Sequence, residues 1–246
     1  MERQENKVGS FSISSAWQKG ADTMAERLAG IRLYEERRKK IKKMNLTSDL
    51  FSSVVFEDVR AVQDVLRILT GLKDLIVTCV IPQRNMRNLF GHSSVLDVWA
   101  EDACGKQYNM EIQMAEDEDH LKRSRFIQSR IDSRIFAEGE EYENIPELYL
   151  IFITEKDFLN IQTGITEVVR VVEKTGRRAE NGVHEIYANL EYPAEDEDVD
   201  RLLKYIKSTN DRTICTDGFE NLTKRVNFLK ENEGGVNGQN GRGPRE

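Results

Sequence analysis

Apolar positions recur at helical spacing in some stretches of the chain and alternate or run together in others. From about residue 12 to 44, Trp17, Met24, Leu28, Ile31 and Leu33 fall every three or four positions, which predicts a helix ending in the basic run Arg37 to Lys43. Asp58 is placed to cap a second helix reaching Thr70, with Val59, Val62, Val65, Leu66 and Leu69 on one stripe and Gly71 as its stop. "DLIVTCVI" then reads as a strand, closed by Pro82. "SVLDVWAEDACGKQYNMEIQM" (Ser94 to Met114) reads as a hairpin of two strands. A helix from about Glu118 to Glu138 follows, with Leu121, Ile127, Ile131 and Ile135 on its buried side. "ELYLIFIT" is apolar nearly throughout, the pattern of a strand covered on both faces. A further strand is expected in "GVHEIYANL", and helices near Val199 to Lys207 and Phe219 to Glu231. The Gly-rich polar tail "GGVNGQNGRGPRE" has the composition of a disordered segment.

This order predicts an α/β fold, a mixed sheet flanked by helices. Its expected divisions are an N-terminal helical segment (1–44), a core (45–191), a C-terminal helical extension (192–231) and a tail (232–246). At 246 residues with 39% hydrophobic and 32% charged side chains, the composition is that of a globular protein with a highly charged surface. No apolar run approaches the ~20 residues that span a bilayer, and "MERQENKVGS" lacks the apolar stretch of a secretory signal. Cys79, Cys104 and Cys215 are scattered, as are His92, His120 and His184, so neither a disulfide framework nor a zinc site is suggested and a cytoplasmic location is expected. The net charge of −7 does not by itself point to nucleic acid, but basic residues gather at Lys122 to Arg130 and at Lys174 to Arg178.

The hairpin carries the chemistry. With its tip at Cys104 and Gly105 in the left-handed conformation, Leu96, Val98 and Ala100 share a face with Tyr108, Met110, Ile112 and Met114. The other face sets Val95, Asp97 and Trp99 opposite Asn109, Glu111 and Gln113, and Asp97 directly across from Glu111. Opposed residues lie with Cβ atoms about 4.5–5.5 Å apart, so two carboxylates there repel unless a cation sits between them. Mg²⁺ takes hard oxygen ligands, and the main-chain carbonyl of Ile112 is a candidate third donor. Acids on the wet face of an antiparallel strand are also ordinary; Val95 and Trp99 on the same face argue that it is partly covered, where bare charge is costly.

"LDVWAEDACGKQYNMEIQ", "RSRFIQSRID" and "EGEEYENIPELYLIFIT", with the lead-in "SDLFSSVVFED", resemble the PD-(D/E)XK nuclease superfamily, and within it the family of transposases or recombination-promoting nucleases of mobile elements. The likeness covers roughly residues 48 to 160. It implies a restriction-endonuclease-like core of helix, three strands, helix and strand. It implies Asp97 and Glu111 as ligands of Mg²⁺ (or Mn²⁺), with Asp97, Glu111 and Gln113 as the catalytic set. Gln113 stands where the superfamily most often has Lys and orients water only by hydrogen bonds, while Leu96 replaces the proline of the motif and Ser52 and Ser53 fill a place where Lys is expected. The likeness sets Gln128 near the site, Arg125 on a phosphate and Asp49 as an accessory acid. Lys122 and Arg123 belong to the basic helix that would meet the DNA backbone, although Arg123, Arg130 and Arg134 could equally pair with local acids or stay solvated.

The function implied is a metal-dependent DNA endonuclease of transposase type, with DNA as partner and a homo-oligomer built through the N-terminal or C-terminal helices. The alternatives are a catalytically inactive relic that binds nucleic acid or protein, and a purely structural protein associating through its N-terminal helix.

Overall fold

The structure is a computed structural model that describes residues 29–86, 94–114, 120–135, 139 and 141–232. The expectations for the tail, for Trp17, Met24 and Leu28, and for the ends of the basic helix beyond 120–135 lie outside the described residues. Residues 29–43 are helical, and Ile31 and Leu33, expected on an apolar stripe, are exposed there. Two compact units are present, one holding residues 1–42 and 230–246, the other residues 43–229. Every candidate site residue belongs to the second.

From residue 43 on the elements run α1 (Asp49–Val55), α2 (Val59–Thr70), β1 (Val77–Met86), β2 (Ser94–Asp102), β3 (Gln107–Gln113), α3 (His120–Ile135), β4 (Leu148–Thr154), β5 (Ile165–Val168), β6 (Val183–Asn189), α4 (Glu197–Lys207) and α5 (Glu220–Asn232), all in that unit but for the last turn of α5. The Asp58 side chain accepts the Arg60 and Ala61 N–H groups at the start of α2, and Gly71 closes the helix at φ 71°. The six strands form one mixed sheet in the order β1-β2-β3-β4-β6-β5. The β1/β2, β2/β3 and β5/β6 pairs are antiparallel, and the β3/β4 and β4/β6 pairs are parallel. This is the mixed sheet flanked by helices that the chain pattern predicts, and it is consistent with the restriction-endonuclease-like core that the resemblance implies.

The core lies on both faces of the sheet. β4 is buried at all its positions, as its continuous apolar run requires. On one face Trp99, Leu148, Leu150, Phe152 and Tyr187 pack with Ile127 and Ile131 of α3. On the other, Leu69 and Thr70 of α2 line a cleft with Tyr149, His184 and Ile186. The hairpin face that carries Asp97 and Glu111 is therefore the one covered by α3.

Three expectations need correction. β1 does not stop at Pro82 but runs through it to Met86, because β1 is an edge strand and the missing N–H costs no ladder bond at an open edge. Leu121 is 46% exposed, since the buried stripe of α3 is His120, Ser124, Ile127 and Ile131, one position away. The short edge strand β5 was not anticipated; four residues with only their ends apolar give no alternation to read.

The C-terminal helices are tied to the core by a polar contact. Asp64 of α2 is buried, and its carboxylate accepts the N–H groups of Asn221 and Leu222 in the first turn of α5 at 2.8 and 3.2 Å, with the Asn221 amide at 3.1 Å. It supplies from another helix the acceptor that a helix start lacks, and its charge favours the positive end of the helix dipole. Asp64→Ala should destabilise the protein by about 2 kcal/mol in urea unfolding, whereas Asp64→Asn, which keeps an acceptor, should lose less.

Candidate functional site

The site is made by a fork in the sheet. The β2/β3 ladder pairs Val98 with Met110, Trp99 with Asn109, Ala100 with Tyr108 and Glu101 with Gln107. Gly105 at φ 80° lets the turn close, its N–H bonding the Asp102 carbonyl at 3.0 Å. The register centres on Cys104, as the sequence predicts, and one step further it sets Asp97 opposite Glu111. There β2 leaves β3. It continues paired with β1 as far as Ser94, while β3 continues with β4 as far as Gln113.

Side chains replace the ladder where the strands part. The Ile112 N–H donates to Asp97 Oδ2 at 3.0 Å, and the Asp97 N–H donates to Glu111 Oε1 at 3.3 Å. The N–H and C=O of one strand residue point to the same side, so the Ile112 carbonyl also faces the fork. Glu111 is fully buried. Its Oε1 also accepts the Asn109 amide at 3.0 Å, and its Oε2 accepts Arg123 Nη2 of α3 at 3.0 Å and Gln113 Nε2 at 3.4 Å. Asp97 lines a cleft of ≈ 20 Å³ with Asp49, Ser52, Ser53, Gln83 and Ile112, room for a water or an ion.

Burial is the largest influence on both acids, and it raises both. Glu111 is pushed up to about 7 by burial and then by the Asp97 charge, against the pull of Asn109 and Arg123. Asp97 is also raised by burial, and further by Asp49, while the Ile112 N–H and Arg123 oppose the shift. Two acids raised by burial, one lining the cleft and the other buried beside it and raised further by its neighbour's charge, are disposed to share a cation.

The remaining predicted residues are distributed as follows. Asp49 begins α1 and is exposed, on the cleft beside Asp97. Lys122 and Arg125 are exposed on α3. Gln128 bonds Asp132 of its own helix at 3.4 Å. Two residues near the acids were not singled out from sequence. Asn109 carried a signal, since its position two before Glu111 puts it on the same face. Gln83 carried none, because in the sequence Pro82 reads as the strand end. The register on either side puts Gln83 across from Asp97, and its φ of 48° is left-handed, so β1 kinks where β2 turns off the sheet.

A family model described as PD-(D/E)XK nuclease family transposase matches residues 68–211, more than half of the chain. The chain belongs to that family. No curated protein and no solved structure matches it. The matched span of this family member holds Asp97, Glu111, Gln113 and all of α3, but begins after Asp49.

The donor set fits a hard divalent ion. Among the described residues no three His, Cys, Asp or Glu side chains converge as a complete metal cage. Mg²⁺ does not require one, since it commonly keeps several waters and takes one or two carboxylates. Asp97 and Glu111 offer two such carboxylates, and the Ile112 carbonyl would be a further oxygen donor.

Proposed function

We propose that this member of the PD-(D/E)XK nuclease family is a metal-dependent DNA endonuclease of mobile-element type. The observation that carries this reading is the meeting of Asp97 and Glu111 at the β2/β3 fork, each raised by burial and repulsion. In this reading the two carboxylates and the Ile112 carbonyl would hold Mg²⁺ or Mn²⁺. Such an ion would supply Lewis acidity, lowering the pKa of a nearby water and offsetting charge on the phosphate oxygens. Gln113 accepts a hydrogen bond from the attacking water and donates another, so it orients the water without taking its proton. Water oxygen bonds to phosphorus as one of its protons passes to solvent, the ester P–O bond breaks, and the leaving oxygen takes up a proton from solvent and departs as a hydroxyl. Asp49, close enough to raise Asp97, acts as an accessory acid that adds negative charge on the cation's side.

Lys122, Arg125 and Gln128 on α3 meet the DNA backbone, which gives affinity without sequence reading. Arg125→Ala should weaken binding to every sequence alike and lower the slope of log K against log salt by about 1, measured by fluorescence anisotropy in EDTA. An unchanged slope would remove Arg125 from the interface.

The direct test is conversion of supercoiled plasmid by the purified protein. Cleavage should require Mg²⁺ or Mn²⁺ and stop in EDTA; equal cleavage with and without metal contradicts the reading. One observation favours a second reading, a catalytically inactive module that binds nucleic acid. Glu111 is fully buried and already paired with Arg123, and Gln113 stands in the Lys position. That module would bind DNA and take up no metal by calorimetry.

A further inference from the structure

Glu111 has two oxygens and about four acceptor sites, and four donors use them. Two donors reach Oε1, the Asn109 amide and the Asp97 N–H, both carried by the strands themselves. The two on Oε2 are Arg123 and Gln113. A metal ion that takes Glu111 as a ligand has to remove at least one of them. Asn109 is fully buried within β3 and has no route away. The Arg123 side chain is 32% exposed and stands in the first turn of α3, so its long stem can swing toward solvent. A fully buried, ionised carboxylate without a cation is strongly unfavourable, so while Glu111 stays ionised Arg123 can leave only as another cation arrives.

We propose that Arg123 is the resident counter-ion of Glu111, holding the metal position in the metal-free protein and exchanging with the divalent ion when it loads. This rests on the reading of Asp97 and Glu111 as metal ligands. The exchange keeps the buried carboxylate neutralised throughout, which a bare two-acid site could not do. It also ties the ion's affinity to the strength of the Arg123–Glu111 pair. Arg123 then acts as a positioning residue: it preserves the Glu111 rotamer until the ion replaces it, and it sets how much free metal is needed to load the site.

The test compares wild type, Arg123→Ala and Arg123→Gln without DNA, in alkaline buffer. The Gln variant can still donate to Oε2, so it guards against a simple folding failure. Isothermal titration with Mg²⁺ should show both variants binding about tenfold tighter than wild type, since no charged hydrogen bond has to be broken first. Thermal melts should show both variants less stable than wild type in EDTA, with the difference closing at saturating Mg²⁺. Equal or weaker Mg²⁺ binding by both folded variants, or a melting gap unchanged by Mg²⁺, overturns the exchange and leaves an ordinary structural ion pair. Absence of Mg²⁺ binding in wild type and variants alike overturns instead the metal-site reading on which the exchange rests.

Discussion

Asp97→Asn should reduce metal-dependent plasmid cleavage by at least about a thousandfold, because the charge that holds the ion is worth several kcal/mol of transition-state stabilisation. The substitution is nearly isosteric, and its Oδ1 can still accept the Ile112 N–H that ties β3 to β2 at the fork. The fold should therefore persist. In EDTA the variant should melt no lower than wild type, since losing the Asp97 charge relieves repulsion on Glu111. Cleavage equal to wild type would remove Asp97 from the chemistry. A collapse in melting temperature would mean that Asp97 is chiefly a strand-capping residue.

The second large effect is in the pH dependence of stability. Glu111 titrates at about 7 in the folded protein, against an ordinary carboxylate value of 4.5, with burial the main cause. A carboxylate raised on folding binds its proton more tightly in the native state. Its contribution is thus fully present below about pH 4.5 and is lost as pH rises through about 7. The metal-free protein should lose stability across that window, on the order of 3 kcal/mol, and Asp97 shifts in the same direction. Mg²⁺ should restore stability chiefly above pH 7, where it no longer competes with protons for Glu111. Urea unfolding in EDTA at a series of pH values measures the decline, and Glu111→Gln should flatten it. A profile equally steep in Glu111→Gln would assign the decline to another group.

Much of this site was legible before any coordinates, for local reasons. Gly105 has the one residue type that closes this turn readily, the turn fixes the register, and strand alternation then carries Asp97, Trp99, Asn109, Glu111 and Gln113 to one face. Trp99 on that face correctly implied cover, supplied by Ile127 and Ile131. The unbroken apolar run of β4 announced a central strand. Contacts set by the relative placement of elements were not legible. Arg123 reaches Glu111 only because α3 packs over this face at one particular rotation, the same rotation that buries Ser124 and exposes Leu121. Helical periodicity leaves that rotation ambiguous by about one position, which is enough to exchange Leu121 for His120 on the buried side. Likewise Pro82 ends a central strand but not an edge one, and a single chain pattern does not say which strand lies at the edge. The kink at Gln83, which turns β1 and β2 away beside Asp97, followed from that same hidden fact.

The central claim is that Asp97 and Glu111 grip one divalent ion at the fork between β2 and β3. Anomalous diffraction from a crystal of the wild-type protein grown with Mn²⁺ tests it most directly. One strong peak within about 2.0–2.6 Å of a carboxylate oxygen of each residue, absent in Asp97→Asn, is the predicted result. A peak elsewhere, or none there while Arg123 remains on Glu111 at saturating Mn²⁺, would contradict it.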